Sequence, residues 1–363
     1  MARASYLMIG GFLGAGKTTA ILKLARLLTG RGLRVGLITN DQSIGLVDTA
    51  VLQNGDFQVE EITGGCFCCR FNSLMEASDR LSQNSRPDVF IAEPVGSCTD
   101  LIAAVSFPLR KIYGEEYCVA PLSVLVDPIR AERILGLQEG NSFSAKVRYV
   151  YVKQLEEAEI IVINKCDLLA PERQDRLETA LRRTYPQAGI FRVSAREGTG
   201  LEQWLDRVAT VEALADSSPE LDYERYAEGE ALLGWLNASV YLRAASELDG
   251  NELLRALAAR TRQALGGVEI AHLKMTLMPD EDGGDIGVLN LVRSDGAAEL
   301  SHSLNAPLSA GELLLNLRAE ADPQLLQRGV LDALAACGCE VEIRHLEHFR
   351  PAKPQPTYRM AHL

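Results

Sequence analysis

The stretch GGFLGAGKTT, Gly10 to Thr19, packs four glycines, a lysine and two threonines into ten positions. Gly11, Gly16, Lys17 and Thr18 satisfy the pattern G-x-x-x-x-G-K-[ST], and the flanks are those the pattern requires. SYLMIG (5–10) before it reads as a short apolar strand. After it, Ile21, Leu24, Ala25 and Leu28 recur at i, i+3, i+4 and i+7, which is one apolar stripe of a helix. A strand, a glycine-rich turn and a helix N-terminus make a phosphate cradle. Gly11, Gly14, Ala15 and Gly16 let backbone N–H groups curl around phosphate oxygens, and the helix start adds partial positive charge. Lys17 reaches the β and γ phosphates, Thr18 offers a hydroxyl to Mg²⁺, and Thr19 completes the turn.

Working outward, residues 5 to 213 alternate strand-like and helical runs, the pattern of a parallel sheet wrapped by helices. RVGLIT (34–39), FQVEEI (57–62), DVFIAE (88–93), LSVLVD (122–127), EIIVIN (159–164) and GIFRVS (189–194) are short and rich in Val and Ile, as buried parallel strands must be. The expected fold class is α/β: a P-loop NTPase parallel sheet with helices on both faces, followed by a smaller α+β domain. Residues 1–213 are assigned to the first domain and 214–230 to an acidic linker. The second domain takes 231–350, and a proline-rich irregular tail takes 351–363. In the second domain the order is strand (234–244), helix (251–265), two strands (268–278 and 285–292), an unassigned stretch, helix (323–337) and strand (340–346). That order suggests a split βαβ, ferredoxin-like arrangement.

Composition narrows the partners. With 47% hydrophobic and 24% charged residues over 363 positions, the chain can bury a large core, and a formal charge of -12 offers nucleic acid or anionic lipid no attractive surface. The N-terminal apolar run is too short and glycine-rich for a signal peptide, and no window holds about 18 uninterrupted apolar residues. A cytoplasmic protein without nucleic-acid or membrane partners is expected. In that reducing compartment the 8 cysteines point to metal ligands or core residues rather than disulfides.

The base is chosen at the far end of the domain. INKCD (163–167) sets Asn164, Lys165 and Asp167 after a strand, where an aspartate accepts the N1–H and N2–H₂ donors of guanine as a pair. Adenine lacks that pair of donors. SAREG (194–198), with Ser194 and Ala195, supplies a second base-side loop, and EPVG (93–96) follows a strand where a γ-phosphate sensor is expected. These loops in this order read as a GTPase.

TGGCFCCR (63–70) holds three thiols, Cys66, Cys68 and Cys69, after two glycines. Thiolates suit Zn²⁺, Cu⁺ and other transition metals, and the glycines permit the reversal that aims neighbouring thiols at one ion. Three ligands leave a tetrahedral ion one open place, which fits cargo better than a structural zinc. Buried or redox-active cysteines are the plainer reading of the same residues. Cys98, Cys118 and Cys166 read as core or loop filler, and Glu76 and Asp79 as a solvated helix face. Cys337 and Cys339 with His345 and His348 resemble zinc-ligand spacing, but the two histidines would face opposite sides of a strand.

With GGFLGAGKTT, GGCFCC, EPVG, QLEEAEIIVINKCDLL (154–169) and SAREG in hand, the chain resembles the CobW-type GTPases, relatives of those that insert nickel into hydrogenase and urease. The resemblance covers residues 4 to 210. It implies a metallochaperone, or an activator of metal- or cobalamin-dependent enzymes, with a transition metal on Cys66, Cys68 and Cys69. Asn40 and Asp41 stand where the family usually has Asn-Glu, and the histidine-rich tract of many relatives is missing. The expected ligands are GTP/GDP, Mg²⁺ on Thr18 and Glu93, and Zn²⁺ or Co²⁺ on the thiols. Lys17, Glu93 and Asp41 are the candidate catalytic residues. The expected partner is a client metalloenzyme or corrinoid protein, and relatives of this branch pair face to face, so a nucleotide- and metal-dependent homodimer is expected. A corrinoid-enzyme chaperone and a P-loop kinase are the two other classes the motifs admit.

Overall fold

The computed structural model describes residues 3–40, 57–280 and 285–363. They divide into two compact units: 3–40, 57–227 and 354–363 in the first, and the described residues of 228–353 in the second.

Among the described residues eight strands build the first unit: β1 (Ala4–Gly11), β2 (Val35–Asn40), β3 (Gln58–Ile62), β4 (Val89–Glu93), β5 (Tyr117–Val119), β6 (Ser123–Val126), β7 (Ile160–Ile163) and β8 (Gly189–Arg192). Their order is β3-β2-β4-β1-β6-β7-β8, with β5 also paired to β1, and every pairing is parallel. This is the sheet expected from the alternating runs, plus the three-residue β5, too short to leave a pattern. Parallel strands need helical crossovers, and burial on both faces explains their unbroken apolar character. Helix α1 (Lys17–Gly30) lays Ile21, Leu24, Ala25 and Leu28, each at most 1% exposed, into a core with Leu7, Ile9, Leu37, Ile91 and Trp204. Each buried Leu or Ile contributes roughly 1.5 to 3 kcal/mol.

The sheet has one decisive consequence. Because every strand runs the same way, Gly11, Asn40, Ile62, Glu93, Val126, Ile163 and Arg192 all end on one edge. Chain connections leave central β1 first towards β2 and later towards β6, so a topological switch point falls at its C-terminal end. Ligands of open α/β sheets bind there.

The second unit is an antiparallel sheet of β9 (Gly234–Leu248), β10 (Ile270–Pro279), β11 (Gly287–Leu291), β12 (Glu299–His302), β13 (Leu308–Ala319) and β14 (Glu340–Phe349), in the order β12-β11-β10-β13-β9-β14. Helices Gly250–Ala264 and Pro323–Ala335 bury Leu254, Leu257, Leu326 and Val330 in the core shared with Leu273, Met275 and Leu315. The path β10-β13-β9-β14 with those two crossover helices is the split βαβ arrangement. Its third strand is β13, which lies in the stretch the sequence leaves unassigned. The β11–β12 hairpin extends the sheet. Helix Tyr223–Leu232 occupies part of the acidic stretch read as linker. Its tyrosines supply the reason: Tyr226 is 1% exposed and Tyr223 bonds to Asp100. No described helix is long and apolar enough to cross a membrane.

Candidate functional site

The phosphate loop joins β1 to α1. Gly11, Gly14 and Gly16 hold φ of 132°, 80° and 88°, a region that disfavours side chains. Space excludes them too. A Cβ on Gly11 would lie 2.3 Å from the Leu125 carbonyl oxygen, and one on Gly16 would lie 2.5 Å from Asn164 Nδ2. At the start of α1, Lys17 Nζ donates to the Gly11 carbonyl at 3.0 Å and lies 3.9 Å from Glu93 Oε1. The Thr18 hydroxyl donates to both Glu93 carboxylate oxygens, at 3.1 and 3.2 Å. Lys17, Thr18, Glu93 and Ala15 are all buried, and Thr19 is exposed. A buried hydroxyl and carboxylate, both hard oxygen donors, fit a small divalent cation such as Mg²⁺. Asp41 lies outside the described residues.

The base-side residues are tied to this loop by side chains. Asn164 Nδ2 donates to the Ala15 carbonyl at 2.8 Å, and Asn164 Oδ1 accepts from the Ala195 N–H at 3.1 Å. Lys165, at φ 53°, sends Nζ to the Gly14 carbonyl at 2.7 Å and to Asp127 Oδ2 at 3.0 Å. Asp167 is exposed in a single 3₁₀ turn, Cys166–Leu168, while Ser194 is buried and its hydroxyl accepts from the Glu197 N–H. Two contributors escape a motif reading. Asp127 caps the helix Pro128–Ile134 and meets Lys165, and Arg130 Nη1 donates to the Leu13 carbonyl at 2.8 Å from between Phe12 and Phe143. Asp127 is a polar residue directly after an apolar strand, whereas Arg130 sits within the following helix with no such signal.

The thiol loop leaves the end of β3 and enters helix α2 (Phe71–Asn84). Gly64 and Gly65, at φ 75° and 149°, turn the chain, and the N–H groups of Cys69 and Arg70 both reach the Cys66 carbonyl. Sulfur atoms lie 2.8 Å (Cys66 to Cys68), 3.2 Å (Cys66 to Cys69) and 3.7 Å (Cys68 to Cys69) apart. Around an ion with Zn–S near 2.3 Å, tetrahedral thiolates stand roughly 3.8 Å apart. The three separations fall within about 1 Å of that spacing, so small shifts of the side chains would seat one ion. Hydrogen bonds from the thiols of Cys68, Cys69 and Cys98 push Cys66 well below the ordinary thiol pKa. Donation to Cys66 pushes Cys68 well up and Cys69 up to about 11. Among the described residues no other group of three or more His, Cys, Asp or Glu ligand atoms is gathered this way. Cys337 and Cys339 therefore do not join His345 and His348.

Two supports of the thiol loop come from far away in sequence. Asn40, at the end of β2, donates through Nδ2 to the carbonyls of Ile62 at 3.0 Å and Gly65 at 2.7 Å. The C-terminal tail returns as well: the Gln355 N–H donates to Cys69 Sγ at 3.1 Å, and Thr357 bonds the carbonyls of Cys68 and Cys69. Arg359 then pairs with Asp100 at 2.9 Å. The tail is specifically bonded.

These features define a P-loop nucleotide-binding protein with a thiol site on the same sheet edge. The family model for the CobW/HypB/UreG nucleotide-binding domain matches residues 5–192, and the chain belongs to that family. It is similar to the zinc-regulated GTPase metalloprotein activator 1 of Dictyostelium discoideum, 28% identical over 217 residues, 51% of this chain and 44% of the relative. It is also similar to the zinc chaperone YeiR of Escherichia coli, 31% identical over 188 residues, 50% of this chain and 51% of the relative. The zinc chaperone CobW of Sinorhizobium sp is 32% identical over 184 residues, 45% of this chain and 51% of the relative. The chain thus spans about half the length of these curated relatives.

Proposed function

We propose that this protein is a cytoplasmic GTP-hydrolysing metallochaperone that carries zinc on Cys66, Cys68 and Cys69 and delivers it to a client metalloprotein. The single observation that carries the reading is the gathering of three thiols on the sheet edge that also holds the phosphate loop. Relatives named as zinc chaperones and a zinc-regulated GTPase support the choice of metal. The same soft set would accept Co²⁺, and its reduced state requires a reducing compartment.

In this reading the backbone N–H groups between Gly11 and Thr19 cradle the GTP phosphates, Lys17 neutralises charge on the β and γ phosphates, and Asp167 takes the guanine donors. Asn164 and Lys165 hold the base-side turn against the phosphate loop, and Ser194 and Ala195 line the base from the other side. Thr18 and Glu93 would hold Mg²⁺, which would supply positive charge against the negative charge that develops on the phosphates. Glu93 orients the attacking water or its ion, with Asp41 as the second candidate. Intrinsic turnover is slow, because no arginine is assigned to the transferring phosphate.

The test is metal analysis of protein purified under reducing conditions without added metal, followed by GTP hydrolysis assays. About one zinc per chain, lost in a Cys66→Ser, Cys68→Ser, Cys69→Ser variant that still hydrolyses GTP, is the expected result. A variant that keeps its zinc would overturn the assignment of the thiols.

A further inference from the structure

Of the three cysteines in the proposed zinc site, two are fixed by burial and one is not. Cys66 and Cys68 are 6% and 1% exposed, whereas Cys69 is only half-buried. Packing alone leaves its sulfur free to turn, so another group must aim it. That group comes from far along the chain: the Gln355 N–H donates to Cys69 Sγ at 3.1 Å, across 286 positions of sequence. Thr357 holds the two peptide groups that flank Cys69, its N–H reaching the Cys68 carbonyl at 2.8 Å and its hydroxyl the Cys69 carbonyl at 3.0 Å. Beyond it, the Tyr358 ring stands edge-on to Phe71, the first residue of α2, with ring centroids 5.3 Å apart. These contacts centre on Cys69.

The sequence of the tail prepares this pose. Pro354 and Pro356 flank Gln355. Each proline fixes its own φ, and the residue before a proline is confined to extended backbone, so the Gln355 N–H is held in place with little chain entropy left to lose. Proline has no N–H. Within residues 354–357 the backbone donors are therefore those of Gln355 and Thr357, and both are spent on the thiol loop. The far end is anchored as well: Arg359 Nε donates to Asp100 Oδ2 at 2.9 Å, and the Met360 N–H donates to the Ala103 carbonyl at 3.0 Å. Asp100 is 5% exposed and keeps a φ of 66°, a conformation that a non-glycine residue retains only where its surroundings hold it. The tail is thus tied down on both sides of Tyr358.

We propose that residues 355–359 are an outer shell of the zinc site, in which the Gln355 N–H and the two Thr357 bonds aim the Cys69 sulfur at the ion. This rests on the three-cysteine cargo site proposed above and names what sets its affinity. Groups that hydrogen-bond a metal ligand fix its orientation and tune its donor strength. Zinc binding releases the Cys69 proton to solvent. The sulfur then accepts the Gln355 N–H as a charged acceptor, and such bonds are stronger than neutral ones. The clamp therefore tightens as the ion arrives, and drawing the tail off Cys69 loosens the same ion.

The experiment uses the full chain under reducing conditions. Gln355→Pro deletes the N–H from a segment already shaped by prolines, whereas Gln355→Ala changes the side chain and keeps the N–H. Zinc affinity, measured against a competing chelator, should fall by roughly 10- to 100-fold in the first and hold in the second. With Co²⁺ bound, the sulfur-to-cobalt charge-transfer band of Gln355→Pro should move to lower energy, because the sulfur lone pair loses the donor that stabilised it. Thr357→Val should weaken zinc binding, and Thr357→Ser, which keeps the hydroxyl, should restore it. Hydrogen exchange needs no variant: zinc loading of the unmodified protein should slow the backbone N–H groups of the stretch 354–357. Unslowed exchange would overturn the proposal even where Gln355→Pro fails to fold. Wild-type zinc affinity and cobalt spectrum in Gln355→Pro would also overturn it, and so would equal losses in Gln355→Pro and Gln355→Ala, which would leave the tail as packing alone. The Cys66→Ser, Cys68→Ser, Cys69→Ser variant is the separate arm. Zinc retained there would sink the cargo site itself, whereas its loss there with full retention in Gln355→Pro would sink only the role of the tail.

Discussion

The phosphate loop and the thiol loop share one edge of one sheet, and both join glycines at positive φ to a following helix and to bonds from far away in sequence: Asn164, Lys165 and Arg130 on the phosphate loop, Asn40, Gln355 and Thr357 on the thiol loop. They differ in how closely their glycines are packed. Neighbours leave no room for a Cβ at Gly11, whereas among the described residues a Cβ on Gly64 would meet only Arg70 Nη2, at 3.6 Å. A tightly packed cradle suits a ligand whose shape does not change, and a looser loop suits an ion that is bound and given up.

Glycine substitutions break this comparison most directly. Gly11→Ala should destabilise by about 2 to 6 kcal/mol, from backbone strain and from the clash with Leu125, and should abolish nucleotide binding. Gly64→Ala should cost only about 1 to 2 kcal/mol, the left-handed penalty alone. Denaturant midpoints of the two variants read this directly. Equal losses would remove the distinction between the loops.

Next in size is the base. Asp167→Asn should weaken GTP by roughly 1.5 to 3 kcal/mol and favour xanthosine triphosphate, because the amide loses an acceptor and gains a donor facing the xanthine oxygen. Competition binding with both nucleotides checks it, and unchanged GTP affinity with no gain for the xanthine nucleotide would remove the guanine assignment.

Asn40→Ala should cost about 1 to 3 kcal/mol, since the carbonyls of Ile62 and Gly65 lose a donor. If Asn40 sets the loop geometry, zinc affinity should also fall by roughly 10- to 100-fold. Stability that falls while zinc binding holds would make Asn40 a support of the sheet edge alone.

A further effect sharpens the comparison through pH. Burial, followed by the nearby Asp100 carboxylate, pushes Glu157 from its ordinary 4.5 up to about 8. Glu157 accepts from Thr99 and the Ile102 N–H, beside Cys98. Its folded pKa lies above its unfolded one, so its contribution to stability is full below about 4.5 and is lost as pH rises through about 8. Glu157→Gln should flatten the fall of the unfolding midpoint over that window. The slope persisting in the variant would place its origin elsewhere.

Legibility followed the range of the interactions. The phosphate loop, the INKCD turn, seven strands of the first sheet and the thiol cluster are written in contiguous residues, with spacing that local physics explains. Short β5 carries too little pattern to stand out, and β13, though its twelve residues are central to the second sheet, lies in the stretch the sequence leaves unassigned. Asn40 reads as the last residue of a strand until its side chain is seen on Gly65. Cys98 reads as core filler, and it is buried. The tail is composed like a linker, and its bonds to Cys68, Cys69 and Asp100 depend on a return across more than 250 positions.

The central claim is that the two loops are energetically one device, and zinc affinity in two nucleotide states measures it. Titrations against a competing chelator, with the GTP analogue and with GDP, should differ by roughly 5- to 150-fold, and zinc must shift the preference between GTP and GDP by the same factor. The variant lacking Cys66, Cys68 and Cys69 should show no difference. Equal zinc affinity in both states, alongside intact GTP hydrolysis, would contradict the account.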